Sequence, residues 1–212
     1  MIKSPNPLIV TLFRGAYTFG MVKSDIKPLG TRILTTKRLL LRPITLGDSE
    51  AMFSWANDEE VTRYMRFETH HSLSHTRKLI KQWTSLYKDP YYFQWVIVQQ
   101  SDQRVIGSIG LEVISFGDNH GEVGYCLNRE CWNKGYITET LAEVLRFGFE
   151  DVGFNRIQAS HSTNNPASGA VMLKVGMIRE GGPMKEYYKS AQSGYQDSYL
   201  YALTSRQWRL LR

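Results

Sequence analysis

At 212 residues, 42% hydrophobic and 22% charged, the chain has the length and composition of one globular domain with a sizeable core. Its formal charge of +6 sits at the ends: residues 1–32 carry +4 and the last nine +3, leaving −1 for the body, so no basic nucleic-acid-binding face is indicated. No apolar run approaches the roughly 20 residues of a membrane helix, and two cysteines, Cys126 and Cys131, are too few for a disulfide framework.

A reducing cytoplasm is therefore the expected location, with no membrane partner and no specific nucleic acid. Basic ends suit an RNA-rich neighbourhood such as a ribosome. Residues 1–30 read as a flexible N-terminal extension, with Met21 as an alternative start, and residues 206–212 as a basic tail. A single domain would fill residues 31–205.

Residues 38–42 alternate enough for a first strand, which Pro43 ends or confines to an edge. Asp48 suits the cap of a helix reaching about residue 57, with Ala51, Met52 and Trp55 on one face. Leu79, Trp83 and Leu86 keep helical spacing within residues 74–87. Residues 93–99 and 104–115 read as a hairpin, and residues 121–127 as the next strand. A helix over residues 136–151 puts Leu141, Val144, Leu145 and Gly148 on one stripe, and Gly153 stops it. After a strand at 156–161, Asn165 and Pro166 open a helix that ends at Gly176. Strands at 177–188 and 195–203, turning through Ser193 and Gly194, close the chain. Antiparallel strands followed by βαβ-like units imply an α/β domain, a mixed sheet with helices on both faces.

The stretch from Glu122 to Glu139 carries the most chemistry. A strand there delivers Trp132, Asn133, Lys134 and Gly135 to a helix N-terminus, where unpaired N–H groups and the helix dipole attract an anion. Gly135 lets backbone approach a ligand closely, and Thr138 adds a hydroxyl. A glycine at such a junction also serves simply to make a turn, so both readings stand at this point. Neither a Walker loop nor a G-x-G-x-x-G fingerprint occurs, which argues against a nucleotide triphosphatase or a Rossmann dehydrogenase. His70, His71 and His75 lack accompanying ligands and read as an exposed helix entry, so no metal is expected.

The motifs together resemble the GCN5-related N-acetyltransferases (GNAT), specifically the RimJ/RimL-type group that acetylates protein N-termini, ribosomal ones included. Thr36-Lys37-Arg38-Leu39-Leu40-Leu41-Arg42 is similar to that group's opening T-x-R-L-x-L-R strand. Val105 to Gly110 resembles a following strand, and Glu122-Val123-Gly124-Tyr125 with Trp132 to Glu139 resembles the cofactor segment. Asn165-Pro166-Ala167-Ser168 and Lys174-Val175-Gly176-Met177 resemble N-x-x-S…K-x-G-F. The likeness spans about residues 30–204.

The resemblance implies a GNAT fold: a strongly twisted, six- to seven-stranded mixed sheet, splayed between the fourth and fifth strands, the fourth bulged. It implies acetyl-CoA as donor, coenzyme A as product, and a protein N-terminus or a small amine as acceptor. Backbone groups of Tyr125, Cys126 and Leu127 would pair with the pantetheine arm, as would Asn165. Asn133, Lys134, Gly135, Tyr136, Ile137 and Thr138 would hold the pyrophosphate. Direct attack by an amine needs a base, oxyanion donors and an acid for the thiolate. Glu122 and Glu186 match base candidates, each equally readable as a surface carboxylate. Ser168 matches an acid candidate, equally readable as a helix cap. The oxyanion donor falls near Cys126 or Leu127. Two departures stand out: Ile137 replaces a small residue and threatens to crowd the pyrophosphate, and Met172 replaces the tyrosine acid of many relatives. The chain is expected as a monomer or homodimer. A silent acyl-CoA-binding module is the non-enzymatic alternative.

Overall fold

The computed structural model describes residues 24–212. The Met21 start and most of the expected extension lie outside the described residues. Residues 24–30 already belong to the packed body: Ile26 is buried in the core, the Lys27 N–H donates to the Val152 carbonyl at 2.8 Å, and the Gly30 N–H to that of Pro90 at 2.7 Å. The boundary expected at residue 31 therefore comes too late. The sequence hid this because one buried isoleucine in a charged stretch makes no periodic pattern.

Among the described residues, nine strands form one sheet. They are β1 (Leu34–Thr35), β2 (Leu39–Arg42), β3 (Phe93–Gln99), β4 (Val105–Ser115), β5 (His120–Leu127), β6 (Arg156–Ser162), β7 (Ile178–Arg179), β8 (Met184–Ser190) and β9 (Gly194–Thr204). The order is β1-β2-β3-β4-β5-β6-β9-β7, with β8 on β9. Every pairing is antiparallel except β5 with β6, which is parallel. A parallel pair needs a crossover, and α4 (Tyr136–Arg146) supplies it. The two-residue strands β1 and β7 account for the count above seven. The single strand expected over 177–188 is broken in two, with Gly181 between at φ +77°, a conformation side-chain-bearing residues avoid.

Helices cover both faces. On one lie α1 (Ser49–Ala56), α2 (Glu59–Thr62) and α3 (Leu73–Leu86), whose Met52, Trp55, Val61 and Ile80 meet Val96 and Val98. On the other lie α4, α5 (Pro166–Lys174) and α6 (Ser205–Leu210), whose Leu141, Val144, Met172 and Trp208 share a core with Trp95 and Ile97. The period-two alternation along β3 thus feeds two cores from one strand, both faces apolar.

Three details depart from expectation. Asp48 precedes α1 without capping it; its carboxylate accepts instead from Arg42 at 2.7 and 2.8 Å and from Thr45. The helix starting at Tyr136 continues as π-helix over Phe147–Val152 before Gly153 stops it at φ +96°. Finally, the expected basic tail is largely α6, opened by a Thr204–Gln207 capping box. Its Trp208 stacks on Phe149 at 5.7 Å and donates to Glu150 at 2.9 Å. A one-turn helix is too short for hydrophobic spacing to announce.

Candidate active site

The parallel pairing of β5 and β6 covers only His120 to Glu122 against Arg156 to Gln158. Beyond it the strands part, and a cleft of about 750 Å³ opens at their carboxyl ends. Its walls are residues 122–127 of β5, residues 160–162 of β6, the loop and first turn of α4, and α5. Segment 60–67 and Tyr188 border the opposite end.

Parting exposes backbone. The Asn128 N–H donates to the Ile106 carbonyl of β4, and the Cys126 carbonyl crowds Gly107 of β4. Alternate residues of a strand aim their polar groups the same way, so those of Cys126 face β4 while Tyr125 and Leu127 face the gap. Hence Cys126 borders the cleft but is not the backbone donor there; Leu127 and Tyr125 are. The β4–β5 register runs without a break from Gly107–Leu127 to Val113–Gly121. The expected bulge is therefore absent from this stretch, and parting alone frees these groups. Burial also pushes the Cys126 thiol up to about 12, which disfavours the thiolate that a nucleophile needs.

The loop is built to present N–H groups. Asn128 caps a 3₁₀ turn over Arg129–Cys131, and Trp132 folds back so that its indole N–H meets the Leu127 carbonyl at 2.9 Å. Asn133 and Gly135 take left-handed φ of +59° and +75°, the second as the residue before α4. Asn133, Gly135, Tyr136, Ile137 and Thr138 all line the cleft. The first-turn amides of α4 have no helical partner and face it. The Ile137 side chain is buried in the core, so the crowding expected from it does not arise. Lys134 is not on the wall; it is exposed, and its carbonyl accepts from Arg38 at 3.0 Å.

Arg38 clasps this loop from outside. Its Nε donates to Glu139 at 2.6 Å, its backbone N–H to the same carboxylate at 2.8 Å, and its guanidinium lies 4.6 Å from the Tyr136 ring centre. Thr36 adds a bond to Glu139 at 2.6 Å. The Thr36-x-Arg38 motif and the end of the cofactor segment are thus two halves of one contact. The sequence showed both halves without showing that they touch.

At the fork itself stands Glu122, the last paired residue of β5. Its carboxylate accepts from Gln158 at 3.0 Å and Ser160 at 3.4 Å, which fixes its direction within the cleft. Across the gap, Asn165 precedes α5 with no side-chain capping bond, leaving its amide for a ligand. Ser168 does not cap α5 either: its Oγ is 2.9 Å from the Tyr125 hydroxyl, which also reaches the Ser168 carbonyl at 3.1 Å. Burial pushes the Tyr125 hydroxyl up to about 12, against the opposing bond from Ser168, so it stays a proton donor. Met172 is buried in the core, and the phenol beside Ser168 comes from β5 instead. Tyr125 had been a candidate only for its backbone.

Other expectations move. Glu186 is exposed, off the cleft wall, at φ +47°, its N–H bonded to Asp197 at 3.0 Å; the structure does not bring it to Glu122. His70 is no exposed residue: it is buried, bonded to Thr76 at 2.8 Å and stacked 4.5 Å from His75. His161, unnoticed in the sequence, lines the cleft with Nδ1 2.7 Å from the Ser162 carbonyl and Nε2 buried without a partner among the described residues.

Opened parallel strands above a helix N-terminus, with free backbone N–H groups on both, suit an extended ligand ending in phosphates. Residues 38–178 match the acetyltransferase (GNAT) domain family. The chain belongs to that family. An uncharacterized N-acetyltransferase of Bacillus subtilis, YoaA, is 33% identical over 171 residues, covering 81% of this chain and 96% of YoaA. The [ribosomal protein uS5]-alanine N-acetyltransferase of Escherichia coli is 22% identical over 180 residues, covering 82% and 92%. A crystal structure of a GNAT-family acetyltransferase from Bacillus anthracis superposes with TM-score 0.72 at 26% identity, covering 82% of this chain and 99% of that one. The chain is thus an N-acetyltransferase of GNAT fold, and GNAT acetyltransferases use acetyl-CoA.

Proposed function

We propose that this N-acetyltransferase moves the acetyl group of acetyl-CoA onto a primary amine, a protein N-terminus of the ribosomal-protein type being the preferred acceptor. The parting of β5 from β6 beside the loop ahead of α4 carries this reading. Acetyl-CoA supplies an acyl thioester. The amides of residues 136–138 and the loop at Asn133 and Gly135 hold its pyrophosphate, and Tyr125, Leu127 and Asn165 hold the pantetheine arm.

Glu122 takes the proton from the attacking amine, directly or through a water. The N–H of Leu127 or Tyr125 steadies the developing oxyanion. As the C–N bond forms and the C–S bond breaks, the Ser168–Tyr125 pair returns a proton to the departing sulfur. A protein acceptor agrees with the uS5-alanine relative, as does a cytoplasmic, ribosome-adjacent setting. No helix among the described residues is long and apolar enough to cross a membrane.

Thiol release with acetyl-CoA tests the reading. Turnover with N-terminal peptides is expected. Turnover confined to small amines such as polyamines would shift the acceptor, and CoA binding without turnover on any amine would make the chain a silent module.

A further inference from the structure

The acceptor end of the cleft is bordered by two arginines with different surroundings. Arg63 is ion-paired with Glu60, three residues earlier. Arg66 pairs with no carboxylate among the described residues; its guanidinium lies 4.7 Å from the ring centre of Tyr188 and 6.0 Å from that of Tyr187. Tyr188 is itself fixed, its hydroxyl donating to the Tyr64 carbonyl at 2.7 Å. A guanidinium stacked on an aromatic face keeps its N–H edge free, and that fork matches a carboxylate. Arg66 is exposed, and stacking holds its guanidinium in place without supplying a countercharge.

Facing it are acids. Glu122 lies directly across the β4–β5 ladder from Glu112, so the two side chains share a face of the sheet. Glu112 keeps solvent exposure; crowding by the surrounding protein first, then the like charge of Glu122, raises its carboxyl, while Arg66 pulls it down. Tyr187 responds likewise: burial and Glu122 raise it, Arg66 lowers it. Arg66 and the acidic pair therefore act on one space, with Glu122 at one side and, at the other, a cation in ion-pair contact with no carboxylate among the described residues.

We propose that Arg66 selects acceptors whose reacting amine has a carboxylate nearby, binding that carboxylate while Glu122 meets the amine. The proposal deepens the acetyl-transfer reading and rests on it. The carboxylate has two sources: the α-carboxylate of a free amino acid, or an Asp or Glu side chain in the first residues of a peptide. Polyamines and Lys-rich N-termini are disfavoured by the same cation.

The test is thiol release with acetyl-CoA over matched acceptors: peptides differing only as Asp, Asn or Lys at the second or third position, free amino acids beside their amides, and spermidine. Wild type is expected to prefer acid over amide by about 10-fold in kcat/KM, through KM, a charge-assisted bidentate contact being the source. Acidic peptides leading would name the side-chain source, free amino acids the α-carboxylate. Arg66→Gln should erase the preference, Arg66→Lys keep part of it, and Arg66→Glu turn it toward the Lys peptide. Melting and CoA titration of each variant guard against misfolding. Turnover with equal rates on acid, amide and Lys acceptors, or a preference that survives in Arg66→Gln, overturns the proposal and leaves acetyl transfer standing. Absence of turnover on every amine overturns both.

Discussion

The two ends of the cleft are made of different material. The proposed donor end is backbone: left-handed residues at 133 and 135, the first turn of α4 and the freed edge of β5, clamped from behind by Thr36, Arg38 and Glu139. The proposed acceptor end is side chains on segment 63–67 and on β8, where Arg66 rests on tyrosine rings. Backbone devices demand particular residues at fixed offsets, whereas a side-chain pocket can be assembled from any elements that meet. On the proposed reading, donor binding rests on fixed backbone geometry and acceptor choice on side chains.

Substitutions at the two ends should separate these roles. Glu122→Gln should have the largest effect, lowering kcat about 100-fold, within the usual range for a positioned base. The loss should be deepest below the acceptor amine's own pKa and shrink as pH rises through it, because the amine then arrives neutral. A pH–rate profile of unchanged shape would remove Glu122 as base.

Arg38→Ala should act only on the donor end, raising KM for acetyl-CoA about 10-fold with KM for the amine unmoved, since it loosens a clamp worth one or two charge-assisted hydrogen bonds. Parallel rises in both constants would mean that the clamp supports the whole fold rather than the loop. Ser168→Ala should reduce kcat less, by about fivefold, because the Tyr125 hydroxyl remains beside the same position. Tyr125→Phe with Ser168→Ala should cost more than either change alone. Strict multiplicativity in that cycle would contradict a shared proton path.

The smallest effect concerns stability near the acceptor end. Burial, then repulsion from His75 and His71, lowers His70 from its ordinary value to about 4. The unfolded chain thus binds this proton more readily, so stability is unaffected above about pH 6.5 and falls as pH drops from there toward 4. His70→Gln should flatten that part of the stability curve. Denaturant midpoints across pH 4–7 would show it, and identical slopes in both proteins would sink the assignment.

This division also explains how much of the molecule is legible in its sequence. Most strands and helices between β2 and β9 follow from period and punctuation, though not the short α2 or the break between β7 and β8, and the loop before α4 stands out because Gly135 and its neighbours sit at a strand–helix junction. Contacts between distant segments left no such trace. Nothing at Arg38 says that it reaches Glu139, and nothing in Tyr125 says that its hydroxyl meets Ser168. Glu186 looked equivalent to Glu122 as a strand carboxylate, and only the register shift between Met184 and Tyr188 turns it away. Lys134 resembled a phosphate ligand because of its neighbours, yet its peptide is pulled outward by Arg38. Arg66 was invisible as a specificity residue, since its meaning lies in the tyrosines of β8 more than a hundred residues later.

The central claim is that the parted strands and the first turn of α4 hold the acetyl donor. Hydrogen exchange with and without saturating CoA tests it most directly. Protection should rise in residues 125–127 and 133–138 and stay unchanged around Glu186 on β8. CoA that binds, by calorimetry, while those two segments exchange as before would contradict the account.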